Sequence, residues 1–457
     1  MWDEPFNLID LTEHQVKLVP KSLVPRIKDL EDYLDTVWKN RPLLYEEDPE
    51  QTPTRQRYLR FELVHGNLTM RAGQYVGFIQ FEGYTIQILP KLFEHEQADK
   101  AFHHLLWWLD YGQRLNFPIA DLVSGSEPIE SFPEALIRYF ARFTESLISS
   151  QPYHQYQEVT ETMSYVRGRL NTQEYVNNSM SRGNWHQLIC NHEPFLFNNR
   201  LNQIIKHVTR FLLDHCKQSE SRRELGRILF ILDEVDDLIC TVEDCDRVQL
   251  NRFFQEYESC LAMCRFFLSN QYMNRQNDQQ RHFCFLVPMD VVYEDFITGV
   301  VKTHFGHKFQ VQSQATDWLT EEEVFQIRND LFLTDRQTRE TIIADTKYKV
   351  RKVEPGDKKA GISQADLYQM VSYGLRRNTR QILLLYPVKY GQPPTIPVTF
   401  TVNSVMMGNQ PIRIQATDLT ITGNVTSQQE FTQHIIEETL VPQLAKAFKQ
   451  LEIAVGE

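Results

Sequence analysis

From residue 289 onward the hydrophobic spacing switches repeatedly between a helical period and a strand period. Such a succession is satisfied by a sheet flanked by helices. MDVVYEDFITGVVKTHF (289–305) places Val291, Val292, Phe296, Val300 and Phe305 on or near one helical face. HKFQVQSQA (307–315), VFQIRNDLFLT (324–334) and TIIADTKYKV (341–350) read as strands. SQADLYQMVSYGLRR (363–377) is helical again, and QILLLYPV (381–388) is apolar throughout, as a central strand is. The order is α-β-β-β-α-β. Two further strands, TIPVTFTVN and PIRIQAT, and a helix, QEFTQHIIEETLVPQLAKAFKQ, extend it.

In IIADTKYK (342–349), Ile343, Asp345, Lys347 and Lys349 share one face. Charges on a strand face are ordinary where that face is solvated, so D-x-K alone decides nothing. The polar turn DRQTRE (335–340) supplies context. A hairpin centred on 336–339 pairs Asp335 with Glu340 and Asp330 with Asp345. Directly opposed carboxylates have Cβ atoms about 5 Å apart and repel. A cation or a proton relieves that repulsion. Mg²⁺, or Mn²⁺ in its place, suits two carboxylates because it takes hard oxygen ligands and keeps several waters. An ion held by Asp330 and Asp345 polarises a phosphodiester, and Lys347 beside it stabilises the charge that develops. A register slip of one residue would turn Asp330 to the other face. Glu294 on the preceding helix either joins the metal through water or is a solvated helix charge. Gln369 and Tyr373, one helical turn apart, can hydrogen-bond a phosphate.

Upstream the chain divides in two. To about residue 125 it is β-rich: a helix over Val24–Lys39, a polar loop EEDPEQTPTRQ, then YLRFELVHG, NLTMRAG, QYVGFIQFEG and YTIQILPKL, punctuated by glycines. This predicts a small antiparallel domain over 1–125. Residues 126–285 are predicted mostly helical, from PEALIRYFARFTESLISS, NNRLNQIIKHVTRFLLDHC, ELGRILFILDEVDDLI and LNRFFQEYESCLAMCRFFL. One interruption, YVRGRLNTQEYV (165–176), is a turn with snorkelling arginines or a phosphate contact. Residues 286–457 form the third region.

The net charge of −12 argues against a protein that coats nucleic acid over its whole surface. Phe325–Tyr390 holds 13 Lys or Arg against 7 Asp or Glu, leaving the rest strongly acidic. Lys349, Arg351, Lys352, Lys358 and Lys359 are the candidate phosphate contacts in that window; a solvated basic face is the plain alternative. The seven cysteines lack a C-x-x-C and read as reduced core thiols of a cytoplasmic protein, with Cys260 and Cys264 the nearest approach to a zinc pair. No run of 18 apolar residues predicts a membrane span, and MWDEPFNLIDLTEH lacks a signal pattern. GDKKAG (356–361) fails the nucleotide-binding G-x-x-x-x-G-K-[ST], so any translocation is expected to be powered by another polypeptide.

Asp330, Asp345-Thr346-Lys347 and Gln369-x-x-x-Tyr373 resemble the PD-(D/E)xK nuclease superfamily, with the Q-x-x-x-Y element of its RecB-like branch. Asn329 stands where proline is common in the first motif. GYTIQILPKL, YHQYQEVTETMSYVRGRLN, CNHEPFLFNNRLNQIIKH, MDVVYEDFI and IIADTKYK are similar in kind and order to the McrC family, the nuclease subunit of modified-cytosine restriction systems. That resemblance implies an α+β multidomain chain: an N-terminal β part docking on a ring of McrB-type AAA+ GTPase subunits, a helical middle and a nuclease core. It implies a Mg²⁺-dependent endonuclease acting on double-stranded DNA, with Asp330, Asp345 and Glu294 at the metal. A non-catalytic activator of a ring NTPase and a stand-alone repair nuclease are the competing readings.

Overall fold

The computed structural model describes residues 7–40, 56–93, 98–112, 132–274, 277–354, 356–403 and 410–453. The expected boundary at 125/126 lies outside them. The chain forms two compact units, one of residues 1–132 with 271–457 and one of residues 133–270. The β-rich beginning and the C-terminal α/β region therefore share a unit, where the sequence suggested separate domains.

Two sheets build the N-terminal part of the larger unit. Strands Val16–Leu18, Asn67–Ala72 and Leu59–Val64 form an antiparallel sheet in that order. The other sheet runs Asn7–Thr12, Tyr84–Leu89, Tyr75–Phe81, Asn277–Pro288, Gln271–Asn274. Asn7–Thr12 pairs with Tyr84–Leu89 in parallel, so the region is not purely antiparallel. Residues 277–285, assigned from sequence to the helical middle, instead belong to the strand Asn277–Pro288, whose end pairs with Tyr75–Phe81. Gly77 permits that pairing: its φ is +137°, and a Cβ there would meet the Phe285 carbonyl oxygen at 2.0 Å. The amphipathic helix Ile27–Asn40 buries Leu30, Tyr33, Leu34, Val37 and Trp38 against Tyr58, Tyr75, Ile79 and Phe81.

The C-terminal part is a six-stranded sheet. Its order is Phe309–Trp318, Gln326–Asp335, Thr341–Thr346, Gln381–Pro387, Ile412–Leu419, Val398–Val402. Helix Met289–Phe305 precedes the first of these strands, and helix Gln364–Arg377 lies between the third and fourth, so the α-β-β-β-α-β order is present. Gln381–Pro387 is buried at every residue and has a parallel neighbour on each side, as its uninterrupted apolar run requires. Ile343, Ile382, Leu384, Ile412 and Ile414 pack with Met370 and Tyr373 of the helix Gln364–Arg377. That helix starts at Ser363, whose hydroxyl accepts from Asp366 N at 3.1 Å, and ends at Asn378 in the left-handed region.

The smaller unit is mainly helical, with helices Arg200–His215, Ser219–Ile231 and Glu256–Ser269. It also holds a three-stranded antiparallel sheet of Val159–Met163, Leu188–His192 and Arg169–Leu170, not anticipated as such. Arg167 and Arg169 are exposed there, and Gly168 turns at φ +71° against the Asn191 carbonyl. All seven cysteines are buried and unpaired. Among the described residues no helix is long and apolar enough to cross a membrane.

Candidate active site

The turn sets the register, and the register sets the site. Leu331 pairs with Ala344, Phe332 with Ile343, Leu333 with Ile342 and Thr334 with Thr341. Asp335 N donates to Glu340 O at 2.9 Å, closing the hairpin where DRQTRE predicts. The ladder ends at Leu331–Ala344, and the next residue on each strand, Asp330 and Asp345, lines a common cleft. Asp345 is 2% exposed. Asp330 is held by Thr346, whose amide and hydroxyl both donate to its Oδ2 at 2.7 Å.

The strand ends at Thr346, and Lys347 turns its ammonium back onto the acids. Lys347 Nζ lies 2.7 Å from Asp345 Oδ2 and donates to Gln369 Oε1 at 3.0 Å. Gln369 Nε2 in turn donates to the Tyr373 hydroxyl at 2.7 Å. Both residues lie on the helix Gln364–Arg377 that covers this face of the sheet. Asp345, Lys347, Gln369 and Tyr373 thus form one connected chain of polar contacts.

The electrostatics are those of a crowded anionic pair. Burial, then the charge of Asp330, pushes the Asp345 carboxyl up to about 7 in spite of Lys347. Burial also raises Asp330, against the two Thr346 hydrogen bonds. Burial alone would lower Lys347; Asp345 and Asp330 outweigh it and hold its ammonium above the ordinary value. The site therefore has excess negative potential that one ammonium does not discharge, which is what a divalent cation would meet.

These residues line a cleft of about 470 Å³ with Asp290, Glu294, Arg328, Lys349 and three residues of the N-terminal part, His14, Gln74 and Lys91. Glu294 faces this cleft, but its carboxylate accepts from Gln314 Nε2. Among the described residues no group of three His, Cys, Asp or Glu is arranged to hold a metal ion. Asp330 and Asp345 on one cleft offer hard oxygen donors of the kind Mg²⁺ or Mn²⁺ takes when water and substrate oxygen complete its shell. Glu294 shares the cleft with Asp330 and Asp345, with Gln314 on one of its oxygens.

The basic candidates separate. Lys349 lines the cleft and pairs with Asp366 at 3.3 Å. Lys352, Lys358 and Lys359 are exposed on the loop that follows. Arg351 is not available to a phosphate: it is buried, pairs with Asp418 at 2.8 Å and donates to Thr395 and Ile396. Sequence reading missed Arg328, Lys91 and His14. Arg328 carried a signal, since in an alternating strand it shares a face with Asp330; the other two carried none.

Fold and cleft together define a mixed α+β protein with paired carboxylates and an amine at one strand end. The family description "McrBC 5-methylcytosine restriction system component" matches residues 70–387, and the chain belongs to that family. A chain of the Thermococcus gammatolerans structure described as McrB AAA+ hexamers with bound McrC shares the fold. Its TM-score is 0.69 at 17% identity, covering 93% of this chain and 99% of that one. A second structure, the T. gammatolerans McrBC complex, gives a TM-score of 0.52 at 20% identity over 65% of this chain and 87% of that one. A search of curated proteins returned no match.

Proposed function

We propose that this chain is the Mg²⁺-dependent DNA endonuclease subunit of an McrBC-type restriction system, with a PD-(D/E)xK core. The observation that carries the reading is that Asp330 and Asp345 line one cleft, with the Lys347 ammonium 2.7 Å from the Asp345 carboxylate. Asp330 and Asp345 would hold the divalent ion. When bound, it supplies a Lewis acid for a phosphate oxygen of the substrate. Lys347 offers its ammonium to the charge that builds on the phosphorus centre. Gln369 fixes the Lys347 amine, and Tyr373 fixes Gln369. Lys349 and Arg328 at the cleft, and Lys352, Lys358 and Lys359 outside it, draw the polyanion in.

The chain has no Walker loop, and the similar structure holds McrC bound to McrB AAA+ hexamers; a GTPase ring of that type would here deliver the nuclease to double-stranded DNA. The test measures Mg²⁺-dependent cleavage and stimulation of the ring's GTPase side by side. Asp345→Ala is expected to remove cleavage and leave GTPase stimulation intact. Cleavage by that variant at the wild-type rate would defeat the assignment and leave the chain an activator only.

A further inference from the structure

The catalytic strand is continued by a residue that the N-terminal sheet holds. The strand ends at Thr346, and the chain then tightens, with Lys347 N donating to Leu385 O at 2.9 Å and Lys349 N to Lys347 O at 2.6 Å. Tyr348, between those two lysines, is buried; its ring lies 5.9 Å from that of Tyr293, and its hydrogen bonds to Glu13 and Lys91 span more than 250 residues of sequence. Its hydroxyl donates to Glu13 Oε2 at 2.8 Å, and its carbonyl accepts from Lys91 Nζ at 2.8 Å. The Lys91 ammonium also lies 4.1 Å from the centre of the Tyr348 ring. Lys91 N donates to the same Glu13 oxygen at 2.8 Å, closing the cluster.

Glu13 directly follows the strand Asn7–Thr12 and is 5% exposed. Its other oxygen, Oε1, is buried without a hydrogen-bond partner. A carboxylate half-satisfied in the interior is unfavourable, and core packing alone would not select it over an apolar residue. Burial, only partly offset by Lys91, pushes its carboxyl up to about 7.

We infer that Glu13 and Lys91 are positioning residues, which through Tyr348 hold the backbone at Lys347 so that its ammonium meets Asp345 and Gln369. The N-terminal sheet then governs the poise of the amine at the cleft. Whatever engages that sheet has a short mechanical route to the site, one residue beyond Lys347. The inference rests on the nuclease reading for its purpose, but its test needs no cleavage.

The test is competitive acetylation of the lysines of the full-length, metal-free protein, read by mass spectrometry, with Lys302 and Lys358 as exposed references. Tyr348→Phe removes the hydroxyl alone, and Glu13→Ala removes the acceptor. Each is expected to raise the Lys347 rate about fivefold relative to the references, the change that follows from losing one hydrogen bond. Glu13→Gln keeps an acceptor and is expected to stay within about twofold of wild type. An unchanged Lys347 rate in Tyr348→Phe overturns the inference even if Glu13→Ala fails to fold. So does an equal rise at Lys302 and Lys358, which would mean general loosening. Loss of cleavage in Lys347→Ala, with this labelling pattern absent, would leave the nuclease reading standing and the positioning role refuted.

Discussion

Replacing Asp345 by Asn should stabilise the metal-free protein, and by an amount that grows with pH. In the fold its carboxyl is pushed from 3.8 to about 7 by burial and by Asp330. Between those values the unfolded chain has lost a proton that the folded chain keeps. The unfolded state therefore binds fewer protons, and stability falls as pH rises, until the folded group ionises near 7. From pH 5 to pH 7 the loss is at most about 3 kcal/mol, at about 1.4 kcal/mol per pH unit. Asn mimics the protonated acid and titrates nowhere, so the variant escapes that loss. Urea unfolding in EDTA, followed by circular dichroism at pH 5 and pH 8, reads it directly. The variant's advantage over wild type should widen between the two pH values. An advantage independent of pH, or one that shrinks as pH rises, would refute the claim that burial and Asp330 hold Asp345 protonated.

The same carboxyl must ionise before it can serve as a ligand, so apparent Mn²⁺ affinity should weaken about tenfold per pH unit below 7 and level off above it; calorimetry across pH 5–8 checks this. Lys347→Ala should lower single-turnover cleavage by about 10²–10³-fold, the scale of one lost electrostatic donor. Arg351→Ala should destabilise the fold by about 3–5 kcal/mol, because Asp418 keeps its Thr395 hydrogen bonds but is left buried without the Arg351 charge, while DNA affinity measured under folding conditions stays the same. Lys358→Ala and Lys359→Ala should each reduce the salt dependence of DNA binding by about one phosphate contact, seen as a shallower slope of log affinity against log salt.

How far the sequence revealed this fold depended on how local the determinant was. The hairpin register was legible because a polar turn and two alternating strands fix it between them, and both lie within about 20 residues. Gln369 and Tyr373 were legible for the same reason, since helical spacing alone puts them on one face. Strand Asn7–Thr12 went unseen because its pairing partner is Tyr84–Leu89, and a six-residue segment shows little periodicity of its own. Residues 277–285 were misplaced because the strand Tyr75–Phe81, with which their sheet pairs, lies far upstream in the chain. Arg351 sits in a run of basic loop residues, and composition cannot distinguish the one that turns inward to Asp418 from Lys352, Lys358 and Lys359, which face solvent. Lys91 reaches the cleft, and Glu13 reaches Tyr348, only through tertiary structure.

The central claim is that Asp330 and Asp345 form one divalent-cation site. Mn²⁺ binding, measured by electron paramagnetic resonance on the wild-type chain and on Asp330→Ala and Asp345→Ala at pH 8, tests it without any partner or substrate. One bound ion in the wild type, lost in either variant, is the expected result. Equal Mn²⁺ binding by all three proteins would contradict it.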